Sequence, residues 1–225
     1  MRNNFDIQLE TLHKNMIHMG NLCVEAISTA ISSLSENDKN LIDKVFDTDH
    51  EIDQMERDIE ALCMKLILHQ QPVASDLRKI SSALKMISDM ERIGDQASDI
   101  AEIAQYVVVV EETGNSKEYI KNMAAEAVKM VSESIASFVR NDLELARNVI
   151  GYDDTVDRWF YKIKKELVAL VSEDNSKGEY YIDLLMIAKY LERIGDHATN
   201  ISEWVEYSIT GLRSKDGVIL DMYEK

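Results

Sequence analysis

The sequence predicts an all-α fold of two tandem, pseudo-symmetric three-helix bundles, six long helices in all, and three observations carry that prediction. The run Glu91-Arg92-Ile93-Gly94-Asp95 returns as Glu192-Arg193-Ile194-Gly195-Asp196, 101 residues later in a chain of 225. Asn37-Asp38 matches Asn141-Asp142, Val45 matches Val149, Asp49 matches Asp153 and Asp53 matches Asp157, all 104 apart. Two nearly equal offsets mark a duplicated unit rather than a chance recurrence of five letters. Finally, one proline and eight glycines beside 45% hydrophobic residues leave few turn formers, so long helices with short connections are expected.

Each copy opens with an apolar-periodic segment, roughly 5–34 and 118–139, followed by polar stretches such as Ser35-Glu36-Asn37-Asp38. The second helix of copy one has its seam at Leu41, Val45, Thr48, Ile52, Met55, Ile59, Leu62 and Leu66. Steps of four and three at apolar positions are the signature of one buried helix stripe. Copy two repeats it with Val149, Tyr152, Val156, Trp159, Ile163, Leu167 and Leu170. The third helices, which hold the repeated motif, run Ala83, Ile87, Met90, Gly94, Ala97, Ala101, Ala104, Val108 and Leu184, Ala188, Leu191, Gly195, Ala198, Ser202, Val205, Ile209. Glycine costs a helix interior roughly 1 kcal/mol against alanine, so Gly94 and Gly195 are read as places where a neighbouring helix approaches closely.

The change of offset requires three extra residues between Asp53 and Glu91. Pro72, the sole proline, lies there, and a slightly longer connection in copy one is expected. Thr113-Gly114-Asn115-Ser116 has the chemistry of a helix end followed by a helix start, which divides the chain into 1–112 and 117–210. A weakly patterned tail, 211–225, remains.

The net charge of −16 repels nucleic acid and anionic lipid, both of which are bound through Lys and Arg. Cys23 and Cys63 stand alone, without the pairing of a zinc site or a disulfide framework. No apolar signal segment opens the chain and no stretch approaches the ~18 apolar residues of a membrane span, so a cytoplasmic protein is expected. A glycine-rich phosphate loop, a Ser-His-Asp set and a nucleophilic cysteine are all missing, and a non-enzyme is expected.

The acids carry the candidate chemistry. Glu91 and Asp95, Glu192 and Asp196, Asp49 and Asp53, and Asp153 and Asp157 are i, i+4 pairs, so each pair shares one helix face. Like charges so placed destabilise a helix by roughly 0.2–0.5 kcal/mol per pair, which invites a compensating cation. Every one of the eight follows a seam residue by one position, so acids from adjacent helices border a common seam. Hard oxygen donors in that number suit Mg²⁺, Mn²⁺ or iron, and scarce His and Cys argue against tight structural zinc. The competing reading is a solvated flank balanced by Arg57, Arg92 and Arg193. Asp99 and Asn200 extend the motif by one turn as second choices. His197, which has Gln96 as its counterpart, is read as a surface or packing residue. Glu-x-x-His, which a ferritin-like di-iron site requires, is absent from both motifs.

The segments QQPVASDLRKISSALKMISDMERIGDQASDIAE and YLERIGDHATNISE, with the duplication around them, resemble the PhoU family of phosphate-signalling regulators over nearly the whole chain, to about residue 210. The resemblance implies E/D-x-x-x-D motifs able to bind multinuclear metal clusters, which fall on Asp49, Asp53, Glu91, Asp95, Asp153, Asp157, Glu192 and Asp196; the metal implied is Fe, Mn, Mg or Zn. It further implies a cytoplasmic homodimer that restrains phosphate uptake and the phosphate-starvation response. Its implied partners are the ATPase of the phosphate-specific ABC transporter and a phosphate-regulon sensor histidine kinase, with contact to the membrane only through them. The alternative is a metal-binding or metal-buffering bundle without a dedicated signalling partner.

Overall fold

A computed structural model describes residues 2–36, 38–70, 72–106 and 114–212. Six helices account for nearly all of them: α1 (Arg2–Glu36), α2 (Lys39–Gln70), α3 (Ala74–Tyr106), α4 (Ser116–Arg140), α5 (Leu143–Glu173) and α6 (Gly178–Thr210). A single 3₁₀ turn, Asn175–Lys177, precedes α6. Among the described residues there is no strand. Of the expected features, Asn37, Val108, Thr113 and the tail from residue 213 lie outside the described residues.

The helices form because their apolar seams are buried. Val45, Thr48, Ile52, Ile59 and Leu66 are buried along α2, and Val149, Val156, Ile163 and Leu167 along α5. The seams of α3 and α6 are buried over their described length, Gly94 and Gly195 included, with Ile209 partly exposed. A fully buried Leu, Ile or Met contributes roughly 1.5–3 kcal/mol, against which no single polar contact in this fold competes. The two triplets, α1–α3 and α4–α6, also pack on each other, α3 along α6 and α1 along α4, and share one continuous hydrophobic core. A Cβ on Gly20 of α1 would stand 2.8 Å from Ile135 Cγ1 of α4, so that glycine sets the close approach of these two helices.

The ends of the elements follow local chemistry. Asn141, at φ 53°, turns the chain out of α4, and the Asp142 side chain accepts from the Leu145 N–H at 3.0 Å to start α5. In the matching position of copy one, Asp38 Oδ1 accepts from the Asn40 N–H at 2.9 Å as α2 begins. The duplicated aspartate therefore serves at the start of the second helix in both copies. Asn115 stands at the N-cap position of α4, but its side chain makes no cap. Its backbone N–H instead donates to Glu166 Oε1 of α5 at 2.6 Å, and the same oxygen would lie 2.5 Å from a Cβ on Gly114.

The offset change has a different cause from the one expected. The connection of copy one is not longer: α3 begins four residues after the end of α2, α6 five after the end of α5. The three residues are inside the helix, since residues 74–90 of α3 precede the motif while only 178–191 of α6 do. They add most of a helical turn to α3 ahead of Glu91.

Candidate functional site

Two acidic clusters sit where α2 crosses α3 and where α5 crosses α6. In the first, Asp49 and Asp53 of α2 face Glu91 and Asp95 of α3, close enough for their charges to act on one another. Burial, followed by the carboxylates of Asp95 and Asp53, raises the pKa of Asp49; the neighbouring Ser98 hydroxyl works in the other direction. Burial, then Asp95, likewise raises Glu91. The second cluster repeats this. Asp153 is raised by burial and then by Asp157 and Asp196, with the Thr199 hydroxyl opposing, and Asp196 is raised by burial and then by Glu192. Desolvation and crowded like charge both disfavour the ionised carboxylate.

The motif glycine lies beside each cluster. A Cβ on Gly94 would stand 2.7 Å from Asp49 Oδ1 and 3.1 Å from Ile52 Cδ1, whereas one on Gly195 would meet Val156 at 3.4 Å and Asp153 Oδ1 at 3.6 Å. Gly94 thus opens a seat for Asp49 of the adjacent helix, whereas at Gly195 a side chain would make only ordinary contact. In that seat Asp49 Oδ1 is buried without a hydrogen-bond partner. An unmatched buried carboxylate oxygen is costly, and a bound cation is one way to satisfy it.

The flank reading is realised in part. Arg92 pairs with Asp95 at 2.8 Å and Glu91 at 3.3 Å, and Arg57 stands 4.0 Å from Asp53. In copy two Lys189 pairs with Glu192, while Arg193 acts instead on Asp99 and Tyr190 at the α3–α6 boundary. These cations are half-exposed, and exposed pairs contribute only ~0–1 kcal/mol. Among the described residues no three His, Cys, Asp or Glu side chains are drawn together as a ligand shell. The donor set nevertheless fits a hard cation: it is all carboxylate oxygen, one of them orphaned. Cys23 and Cys63 are no alternative, because burial pushes both thiols up to about 12.

Sequence spacing missed one acid and misjudged the symmetry of others. Glu56, three residues after Asp53 and on the same helix face, acts on Glu91 and accepts from Ser88 Oγ at 3.2 Å. Its counterpart is Phe160, so cluster one is richer in carboxylate. Asp99 joins cluster one through Asp95 and Asp49, but Asn200 leaves cluster two and donates to Asp89 Oδ1 of α3 at 3.2 Å. His197 Nδ1 meets the same oxygen at 2.9 Å, which makes it a bridge between the triplets rather than a ligand.

Comparison with known proteins fits this architecture. The chain matches the PhoU domain twice, over residues 16–104 and 120–205, one match for each helix triplet. The chain belongs to the PhoU family. A Pseudomonas aeruginosa relative, named a phosphate-specific transport system accessory protein PhoU homolog, is 37% identical over 209 residues, 92% of this chain and 86% of the relative. A Clostridium acetobutylicum relative of the same name is 37% identical over 208 residues, 92% of this chain and 94% of the relative. The crystal structure of PhoU from Pseudomonas aeruginosa superposes with a TM-score of 0.87 at 36% identity, covering 92% of this chain and all of that one. The phosphate transport system regulatory protein PhoU from Streptococcus pneumoniae gives 0.84 at 28%, over 93% and 98%. Each PhoU domain contains one of the acidic clusters.

Proposed function

We propose that this chain is a non-catalytic regulator of phosphate uptake and of the phosphate-starvation response, an accessory to the phosphate-specific ABC transporter. The observation that carries this reading is the pair of PhoU domains, together with relatives named as accessory proteins of that transport system at 37% identity over most of both chains. Its partners are then the transporter's ATPase and a sensor histidine kinase of the phosphate regulon. A cytoplasmic homodimer belongs to the same reading, tested by fractionation and by sedimentation. Among the described residues no helix is long and apolar enough to cross a membrane, which is consistent with action through partners.

Asp49, Asp53, Glu91 and Asp95 would hold cations on one triplet, and Asp153, Asp157, Glu192 and Asp196 on the other, with Fe, Mn, Mg or Zn as the metal. A bound cation supplies charge neutralisation and a Lewis-acidic point that oxygen ligands can share. The protein's own part is to hold the carboxylates at the helix crossings, with Gly94 making room for Asp49. The orphaned Asp49 Oδ1 and the raised acids of both clusters support this assignment. They also favour a second reading, a metal-buffering bundle without a dedicated partner.

Deleting the gene and measuring a phosphate-starvation reporter in rich phosphate separates the two. The regulatory reading expects constitutive reporter activity and uptake in the deletion strain. Wild-type repression in a strain lacking any paralogue would leave only the buffering role.

A further inference from the structure

The duplication provides an internal control for surface chemistry, because α2 and α5 start 104 residues apart and keep the same phase against their neighbours. Their outer faces have diverged in charge. Opposite the buried Ile163 and Leu167, α5 presents Arg158, Tyr161, Lys165 and Val168, with Lys162 and Lys164 on the two flanks, and all six are exposed. The matching residues of α2 are Gln54, Arg57, Ala61 and Met64, flanked by Asp58 and Glu60. Four cations and no acid at these positions of α5 thus stand where α2 has one cation and two acids. In a chain of net charge −16, this strip opposes the global field.

The strip is also ordered and apolar enough to act as a contact. Lys162 Nζ lies 3.8 Å from the Tyr119 ring centroid and 4.7 Å from that of Trp159, whose rings are 5.7 Å apart. A cation fixed over two aromatic rings gives up less side-chain freedom on meeting a partner than a free lysine does. Tyr161 is 68% and Val168 59% exposed. Aromatic residues and Arg are the types enriched where interfaces concentrate their binding energy. Among the described residues, none of Arg158, Lys162, Lys164 and Lys165 takes part in an ion pair, and the nearby Glu166 is occupied by the Asn115 N–H.

We propose that the outer face of α5 is the docking surface for a carboxylate-rich segment of a partner protein. Residues 158 to 168 span about 15 Å of helix, the footprint of one extended or helical peptide. A narrow acidic segment meets only this strip, whereas an anionic bilayer, being wide and flat, also meets the acidic remainder of the molecule. Charge complementarity steers such an encounter and fixes its register, and Tyr161 and Val168 offer it apolar contact. The metal assignment is not needed for this, and the test is run in EDTA so that failure of one leaves the other standing.

Fluorescence anisotropy with a labelled 20-residue polyglutamate peptide at 20 mM salt is the direct measurement. Binding is expected to weaken at least tenfold in Lys164→Glu/Lys165→Glu, whose side chains are exposed and whose helicity and melting temperature should match the wild type. It should weaken similarly in Lys162→Glu/Lys165→Glu and be lost at 0.5 M salt, where screening shortens the reach of these charges. Lys39→Glu/Lys65→Glu on α2 carries the same change in net charge and is expected to bind like the wild type. No binding by the wild type overturns the proposal. An equal loss in the α2 control, which would reflect net charge alone, does so too. Co-sedimentation with phosphatidylglycerol vesicles that depends on Lys164 and Lys165 would assign the strip to a lipid surface instead.

Discussion

Gly94 and Gly195 occupy the same place in the repeated motif, yet the room beside them differs. A methyl group on Gly94 would press on Asp49 Oδ1 at 2.7 Å and on buried Ile52, while one on Gly195 would make ordinary contact with Val156 and Asp153. Alanine gains roughly 1 kcal/mol over glycine in a helix, but overpacking a filled site costs about 1–3 kcal/mol. Gly94→Ala is therefore expected to be less stable than Gly195→Ala by about 1–2 kcal/mol, and Gly195→Ala to be neutral or stabilising, as read from urea unfolding of chelator-treated protein. The acids beside these glycines add a pH dependence with a definite sign. Asp49 and Asp153 have raised pKa values when folded, so the folded state holds their protons more tightly than the unfolded chain does. Their stabilising contribution is then fully present below the ordinary aspartate value of 3.8 and is lost as pH climbs through the raised values. In EDTA, wild type should lose urea midpoint relative to Asp49→Asn/Asp153→Asn as pH rises from 3.8 through the raised values, and an unchanged difference between the two would refute the crowding of these carboxylates. The eight motif acids were legible because the i, i+4 spacing and the seam position are local facts. Glu56 was also within reach, being in phase with Asp53, but it breaks the repeat against Phe160 and so escaped a search keyed to symmetry.

At the scale of the helices, the turn between α4 and α5 is specified by two neighbouring residues, and the first half of the chain begins α2 with the same aspartate. Asp142 satisfies the Leu145 N–H at 3.0 Å, one of the four amides that a helix start leaves unpaired. Asp142→Ala is expected to cost about 1 kcal/mol, measured by thermal or urea unfolding, and Asp142→Asn very little. A cost for Asn as large as that for Ala would show that the carboxylate acts by charge rather than as a cap. The start of α4 was less legible. Asn115 has the right residue type for a cap, but the group that takes its N–H is Glu166, 51 residues further on, and no local pattern reports a partner supplied by packing. The offset change misled for a related reason. Pro72 drew the three extra residues to the turn, whereas α3 absorbs them as helix, which a sequence of good helix formers permits without any signal.

At the scale of the whole molecule, the repeat suggests two independent halves, but the packing joins them. α3 runs along α6, α1 along α4, and one hydrophobic core passes through both triplets. Small residues in the motif seams, Ala97, Ala101, Ala198 and Ser202 among them, are buried. His197 and Asn200 both reach Asp89 across the boundary. Periodicity alone places these residues on a buried stripe but does not say whether the neighbour is a helix of the same copy or of the other. If the halves share a core, neither retains its fold while the other melts, and unfolding is a single cooperative step. Both tryptophans, Trp159 and Trp204, belong to the second half, so tryptophan fluorescence reports that half alone while helical circular dichroism reports all six helices. The two signals are expected to give the same urea midpoint and the same slope in EDTA. A circular dichroism transition that splits, with fluorescence following only one part, would show that the triplets fold independently and that the α3–α6 contact is a docking of two domains.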